Sequence, residues 1–229
     1  MYLCYGRMSN RDALKRYGFC LTSNKYNNMY IKLRLEQNDE EFKYRQYIIS
    51  KFFSVDKQDK NEKDSFNKIK VEDGSMDVQS RHFKIFYQKL NTKVLKFIKI
   101  LTFNVKEDDL ACIVESRSIS LEYLSFQKLR TVYEEFLAHF PTTLEEDLHL
   151  IRHERASLNI RKYFAVVYRS EQKRILINQI KLVKITMHIL ERLMKGMTMD
   201  FAVTRIFELE SKQDVPINRR MIHNYLDSL

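Results

Sequence analysis

Glycine, proline, tryptophan and cysteine are all scarce in this chain: among 229 residues there are four Gly, two Pro, no Trp and three Cys. Gly6, Gly18, Gly74 and Gly196 lie too far apart to build a phosphate-cradling loop or a dinucleotide fingerprint, so the P-loop NTPase and Rossmann classes are excluded. Cys4, Cys20 and Cys112 are odd in number and lack a short CxxC spacing, which rules out a disulfide scaffold and a zinc finger and fits a reducing compartment. No apolar run reaches the roughly 18 residues of a membrane span, because Lys96, Lys99, Lys181 and Lys184 interrupt the longest candidates. The first residues, Met1-Tyr-Leu-Cys-Tyr, lack the basic and apolar regions of a signal peptide. These absences lead to the expectation of an intracellular protein, cytoplasmic or nuclear, that does not enter a membrane.

What the chain has is apolar residues, 44% of the total, and positive charge, 40 Lys and Arg against 30 Asp and Glu. The first is enough for a core. The second favours acidic partners, of which nucleic acid is the weaker reading.

Local signals divide the chain into a small β-rich head and a larger helical body. Ser9-Asn10-Arg11-Asp12 reads as a capping box opening a short helix that Gly18 ends. Phe19-Cys20-Leu21 and Tyr30 to Leu35 read as strands around an Asn-rich turn, and the second alternates, with Ile31, Leu33 and Leu35 on one face. Glu40 to Phe53 reads as an amphipathic helix, Val55 to Asp77 as a polar mobile linker, Phe83 to Tyr87 as a strand and Thr92 to Phe103 as a buried helix. From Leu121 the period is helical, with Phe126, Leu129, Tyr133, Phe136, Leu137 and Phe140 on one stripe until Pro141. Thr143 caps the next helix, whose Glu145, Glu146 and Asp147 complement the positive end of its dipole. Leu176, Ile180, Val183, Met187, Leu190 and Met194 then form a narrow heptad-like seam.

The order of several short motifs is similar to that of a known family. Tyr2-Leu3-Cys4-Tyr5-Gly6, Ser9-Asn10 and Tyr17-Gly18-Phe19 resemble the end of the catalytic SET domain in protein methyltransferases of the RuBisCO large-subunit methyltransferase type. Phe140-Pro141-Thr142-Thr143-Leu144-Glu145-Glu146-Asp147, and the segment from Asn159 through Arg169 to Glu171, Lys173, Arg174, Ile175 and Leu176, resemble that family's helical substrate-binding domain. The resemblance implies an α+β, predominantly α fold. The end of a SET domain would occupy residues 1–35, a helix and mobile linker 36–79, and the substrate-binding domain 80–229.

It also implies chemistry. Methyl transfer from S-adenosylmethionine to lysine is an in-line displacement, so a neutral amine must be delivered along the sulfur–methyl axis. A free lysine, with a pKa of about 10.4, reaches that state only in a dry channel. By resemblance Tyr5 is the catalytic tyrosine, Tyr17 lines the lysine channel and Phe19 packs near the cofactor. The partner would be a protein substrate with an acidic docking surface, since Arg152 to Lys195 carries eleven Lys or Arg and three Glu. The family's cofactor-binding Gly-rich segment and NHS motif precede the YxxYG element and do not occur in this sequence, so the pocket is expected to be incomplete here. The chain is then expected to be either part of a larger enzyme or a remnant with only a binding role. Glu145, His149 and His153, at i, i+4 and i+8, read as a solvated helix face rather than a metal site.

Overall fold

The computed structural model describes residues 6–35, 42–53, 80–87, 89–102, 118–210 and 222. Within them the order is α1 (Asn10–Tyr17), β1 (Asn28–Arg34), α2 (Phe42–Phe53), β2 (Ser80–Phe86), α3 (Thr92–Thr102), α4 (Ile119–Ala138), α5 (Leu144–His153), a 3₁₀ turn (Arg155–Ser157), α6 (Ile160–Met194) and α7 (Met199–Glu210). This is the helix-dominated α+β architecture expected from the sequence. Tyr5 and the segment from Val55 to Asp77 lie outside the described residues.

The strands pair antiparallel, with Asn28 opposite Phe86, Ile31 opposite Phe83 and Arg34 opposite Ser80. The period-2 pattern sends Ile31, Leu33 and Leu35 to the buried side, where they join Phe83 and Ile85 from β2. There Phe53, Phe83 and Phe97 meet edge to face at 5.2–5.9 Å, joining α2, β2 and α3 in one aromatic cluster.

Helix α6 is the organising element, packing against α1, both strands, α4, α5 and α7. It runs antiparallel to α4: the Tyr123 hydroxyl donates to Glu191 at 2.9 Å, and eleven residues further along α4 Glu134 lies 3.6 Å from Lys184. Phe126, Leu129 and Tyr133 of α4 are fully buried against this partner. The expected narrow seam is not what forms. Seventeen residues of α6 are buried, among them Glu171, Gln172, Lys173 and Gln179, while Met194 is 45% exposed. Neighbours on several sides bury α6 over a wide arc, which a two-helix seam would not do.

Two further expectations change. Residues 19–21 form no strand; Asn10 holds them instead through paired bonds to Leu21, donating to its carbonyl at 2.7 Å and accepting from its N–H at 3.2 Å. A side-chain amide thus does the work of a strand partner. At the start of α1 the capping box is only half made. Ser9 Oγ accepts from the Asp12 N–H at 3.2 Å and itself donates to the Asp12 carboxylate at 2.6 Å. The carboxylate is therefore engaged by the hydroxyl. At α5 both halves exist: Thr143 Oγ1 accepts from Glu146 N–H, and the Glu146 carboxylate accepts from Thr143 N–H at 2.7 Å.

Candidate functional site

The head is a small polar construction laid on α6. Asn10, fully buried, is its hub: besides Leu21 it accepts from Asn24 Nδ2 at 2.9 Å, and its N–H donates to Asn27 Oδ1 at 3.2 Å. Asn24 also donates to the Met8 carbonyl at 2.9 Å. The Asn-rich turn is therefore wound around one buried amide. Gly18 ends α1 at φ +74°, a left-handed conformation where a Cβ would be strained. That reversal carries the chain from Tyr17 to Phe19 and leaves their rings 6.1 Å apart. Tyr17 is 50% exposed and Phe19 is half-buried. Two of the three expected site residues are thus neighbours, forming an aromatic edge on the head. The third, Tyr5, is outside the described residues.

Polar residues of α6 fix the head in place. The Glu171 carboxylate accepts from the Ser23 N–H at 3.1 Å and from Arg174 at 3.1 Å. Gln172 donates to the Asn28 carbonyl at 3.3 Å, and Gln179 to the Phe86 carbonyl at 2.6 Å. Asn178 donates to the Tyr87 carbonyl. Cys20 is buried beneath this junction, and burial, then the Glu171 carboxylate, push its thiol up to about 11. It is a protonated, inert thiol at neutral pH.

A second buried cluster fixes α5 on α6. Asp147 is fully buried and accepts from Thr142 at 3.0 Å, from Lys173 at 2.6 Å and from the Arg169 guanidinium through both carboxylate oxygens. Lys173, 1% exposed, also donates to Thr142 Oγ1 at 2.7 Å and to the Thr143 carbonyl at 2.9 Å. Burial alone would raise the Asp147 pKa, but the hydrogen bonds from Arg169, Lys173 and Thr142 outweigh it and hold the carboxyl below its ordinary range. Asp147 is therefore an interior counter-ion, where the sequence suggested only a dipole partner. The reciprocal dependence of Thr142, Asp147, Arg169 and Lys173 explains why these residue types occur in two separated motifs.

His149 and His153 lie with ring centroids 5.0 Å apart, and the His149 side chain is 62% exposed beside Glu154. Among the described residues no group of three or more His, Cys, Asp or Glu could hold a metal ion. No described helix is long and apolar enough to cross a membrane.

Sequence reasoning missed Asn10, Glu171, Gln172, Lys173 and Asp147 as buried anchors. The available signal was the run Glu171-Gln172-Lys173, polar residues turned inward on a helix whose neighbours Ile175 and Leu176 are core.

The family model described as Rubisco LSMT substrate-binding matches residues 36–176. Among solved structures, the SET domain of LSMT bound to methyl-lysine and AdoHcy is 19% identical with a TM-score of 0.58, over 98% of this chain and 47% of that one. Rubisco LSMT bound to AdoMet is 18% identical with a TM-score of 0.57, over 95% and 46%. These similarities show a shared fold. The chain spans less than half the length of the solved chains it matches. No curated protein sequence matches.

Proposed function

The chain belongs to the Rubisco LSMT substrate-binding family, and from that premise we propose that it is the C-terminal portion of an S-adenosylmethionine-dependent SET-type protein-lysine methyltransferase. The observation that carries the reading is the family match over residues 36–176, downstream of a head with the Ser9-Asn10 and Tyr17-Gly18-Phe19 elements. The helical body of 80–229 holds the protein substrate, and residues 1–35 bring the end of the catalytic domain to it.

The described residues fit one edge of a cofactor. The Tyr17 and Phe19 rings, 6.1 Å apart and partly open, give an apolar and π-rich wall against which an adenine or a sulfonium group can lie. S-adenosylmethionine would supply the activated methyl group. The remaining walls must come from residues beyond those described. On the substrate side, Tyr17 offers its hydroxyl to orient a lysine amine, and the exclusion of water that favours the neutral amine falls to the remaining walls. Tyr5 takes the catalytic position, orienting the amine through its hydroxyl.

Calorimetric titration of S-adenosylmethionine into the 229-residue chain tests the division of labour. Affinity weaker than millimolar is the expected result, because the described residues supply a single wall of the pocket. Micromolar binding would contradict the assignment of the rest of the pocket to another segment.

A further inference from the structure

The corner at which α5 passes into α6 carries a concentration of charge that the fold itself does not use. From Leu148 to Tyr168 the sequence holds Arg152, Arg155, Arg161 and Lys162 but a single acid, Glu154. All four cations are exposed. None of them is in an ion pair with another described residue, while Arg169, Lys173 and Arg174, further along the same helix, are paired with Asp147 and Glu171. Glu154 is turned to α5, 3.3 Å from His149 Nδ1. The chain neutralises its inner cations with its own carboxylates and leaves the corner cations to solvent, where their mutual repulsion costs stability.

The corner is also well built. The Glu154 N–H donates to the Leu150 carbonyl at 3.2 Å and the Leu158 N–H to the Arg155 carbonyl at 3.2 Å, closing the turn. Asn159 caps α6 by accepting from the Lys162 N–H at 2.9 Å. The Arg155 guanidinium lies over the Tyr163 ring at 4.0 Å. Stacking uses the face of the guanidinium and leaves its in-plane donors for a carboxylate fork. Ile160, 60% exposed, gives an apolar contact among the cations.

We propose that this corner docks an acidic polypeptide segment, namely the stretch of the protein substrate that flanks the methylated lysine. The identity of the occupant rests on the methyltransferase reading; the acidic chemistry rests on the charges alone. A polypeptide is favoured over nucleic acid because Arg155 lies over one face of Tyr163 and Phe164 meets that ring edge-on at 5.3 Å, a mutually packed group rather than rings spaced to take successive bases. The register follows from helix geometry. From Arg161 to Glu171, which bonds the head at Ser23, is ten residues of α6, about 15 Å. An extended peptide covers that distance in about five residues. The corner thus lies on the order of five extended residues from the near edge of the head, and acidic side chains are expected about that many positions or more from the target lysine.

The test is fluorescence anisotropy of the full 229-residue chain, without cofactor, using labelled peptides with a central lysine and four Glu, or four Gln, starting five residues away. The Glu peptide should bind at least about tenfold more tightly at low salt, with the difference shrinking as salt rises. The double variant Arg161→Glu, Lys162→Glu should reduce it to the level of the Gln peptide, and Arg161→Gln alone should weaken it about threefold. Lys96→Glu, at an exposed cation on α3, should leave binding unchanged. Equal binding of the Glu and Gln peptides overturns the proposal, as does an equal loss in the Lys96 variant or tighter binding of a single-stranded oligonucleotide through the same residues. Because the readout needs no methyl transfer, its failure leaves the methyltransferase reading standing.

Discussion

At the scale of single residues, the molecule depends on polar side chains buried with their partners. Asp147 is the clearest: two cations and a hydroxyl converge on one fully buried carboxylate. Asp147→Asn keeps the volume and removes the charge, leaving Lys173 buried without its counter-ion. Breaking a buried pair from one side costs about 3–5 kcal/mol, so the midpoint of urea unfolding should fall substantially while the slope stays the same. A shift within error would show that Lys173 is not dependent on Asp147. The pH dependence has a definite sign. The folded-state pKa of Asp147 is depressed below its ordinary 3.8, so its contribution is fully present above that value and is lost as pH falls through the lowered one. The wild-type protein should lose stability below about pH 4 more steeply than Asp147→Asn does.

At the scale of elements, α6 is the rod to which everything else is tied, but by two different means. The body is held by apolar burial: Ile175, Leu176, Val183 and Leu190 are each essentially inaccessible, and each such side chain contributes about 1.5–3 kcal/mol. Between residues 6 and 28 only Ala13 and Cys20 are buried apolar residues, so the head's hold on α6 depends on hydrogen bonds of about 0.5–1.5 kcal/mol each. Glu171→Gln weakens the bond to the Ser23 N–H and the link to Arg174, and should speed amide hydrogen exchange across residues 21–28 severalfold, leaving α4 and the centre of α6 as slow as before. Uniform acceleration across the chain would mean that the head and the rod unfold as one unit.

The same contrast explains what was legible in the sequence. Periodicity reports apolar burial, so β1, α3, α4 and the part of α6 from Leu176 to Met194 could be read from it. It is silent about a buried amide such as Asn10, whose bonds to Leu21 replace the strand pairing that the apolar run Phe19-Cys20-Leu21 suggested. It also showed Asp147 only as a dipole partner, since a helix N-terminus favours carboxylates whether they are solvated or paired with a lysine 26 residues away. The aromatic edge of Tyr17 and Phe19 was legible only through its resemblance to a family, because an exposed tyrosine at the end of a short helix carries no signal of its own.

At the scale of the whole molecule, the proposed function joins a helical body that would hold a protein substrate to the closing segment of a catalytic domain. Its central claim is that this segment contributes to lysine methylation once the chain is joined to the SET segment that its resemblance implies. Tyr5→Phe in that joined enzyme tests the claim most directly, with Tyr87→Phe, whose carbonyl still accepts from Asn178, as the control. Removing the Tyr5 hydroxyl keeps the ring but loses an oriented contact that strengthens in the transition state, so kcat should fall far more than cofactor affinity does. Loss of one such contact is worth about 2.7–4 kcal/mol, or roughly a hundred- to a thousandfold in rate. Single-turnover transfer of labelled methyl to a lysine peptide is the measurement: the account predicts that fall for Tyr5→Phe and near-normal turnover for Tyr87→Phe, and transfer at the normal rate with Phe at position 5 would contradict it.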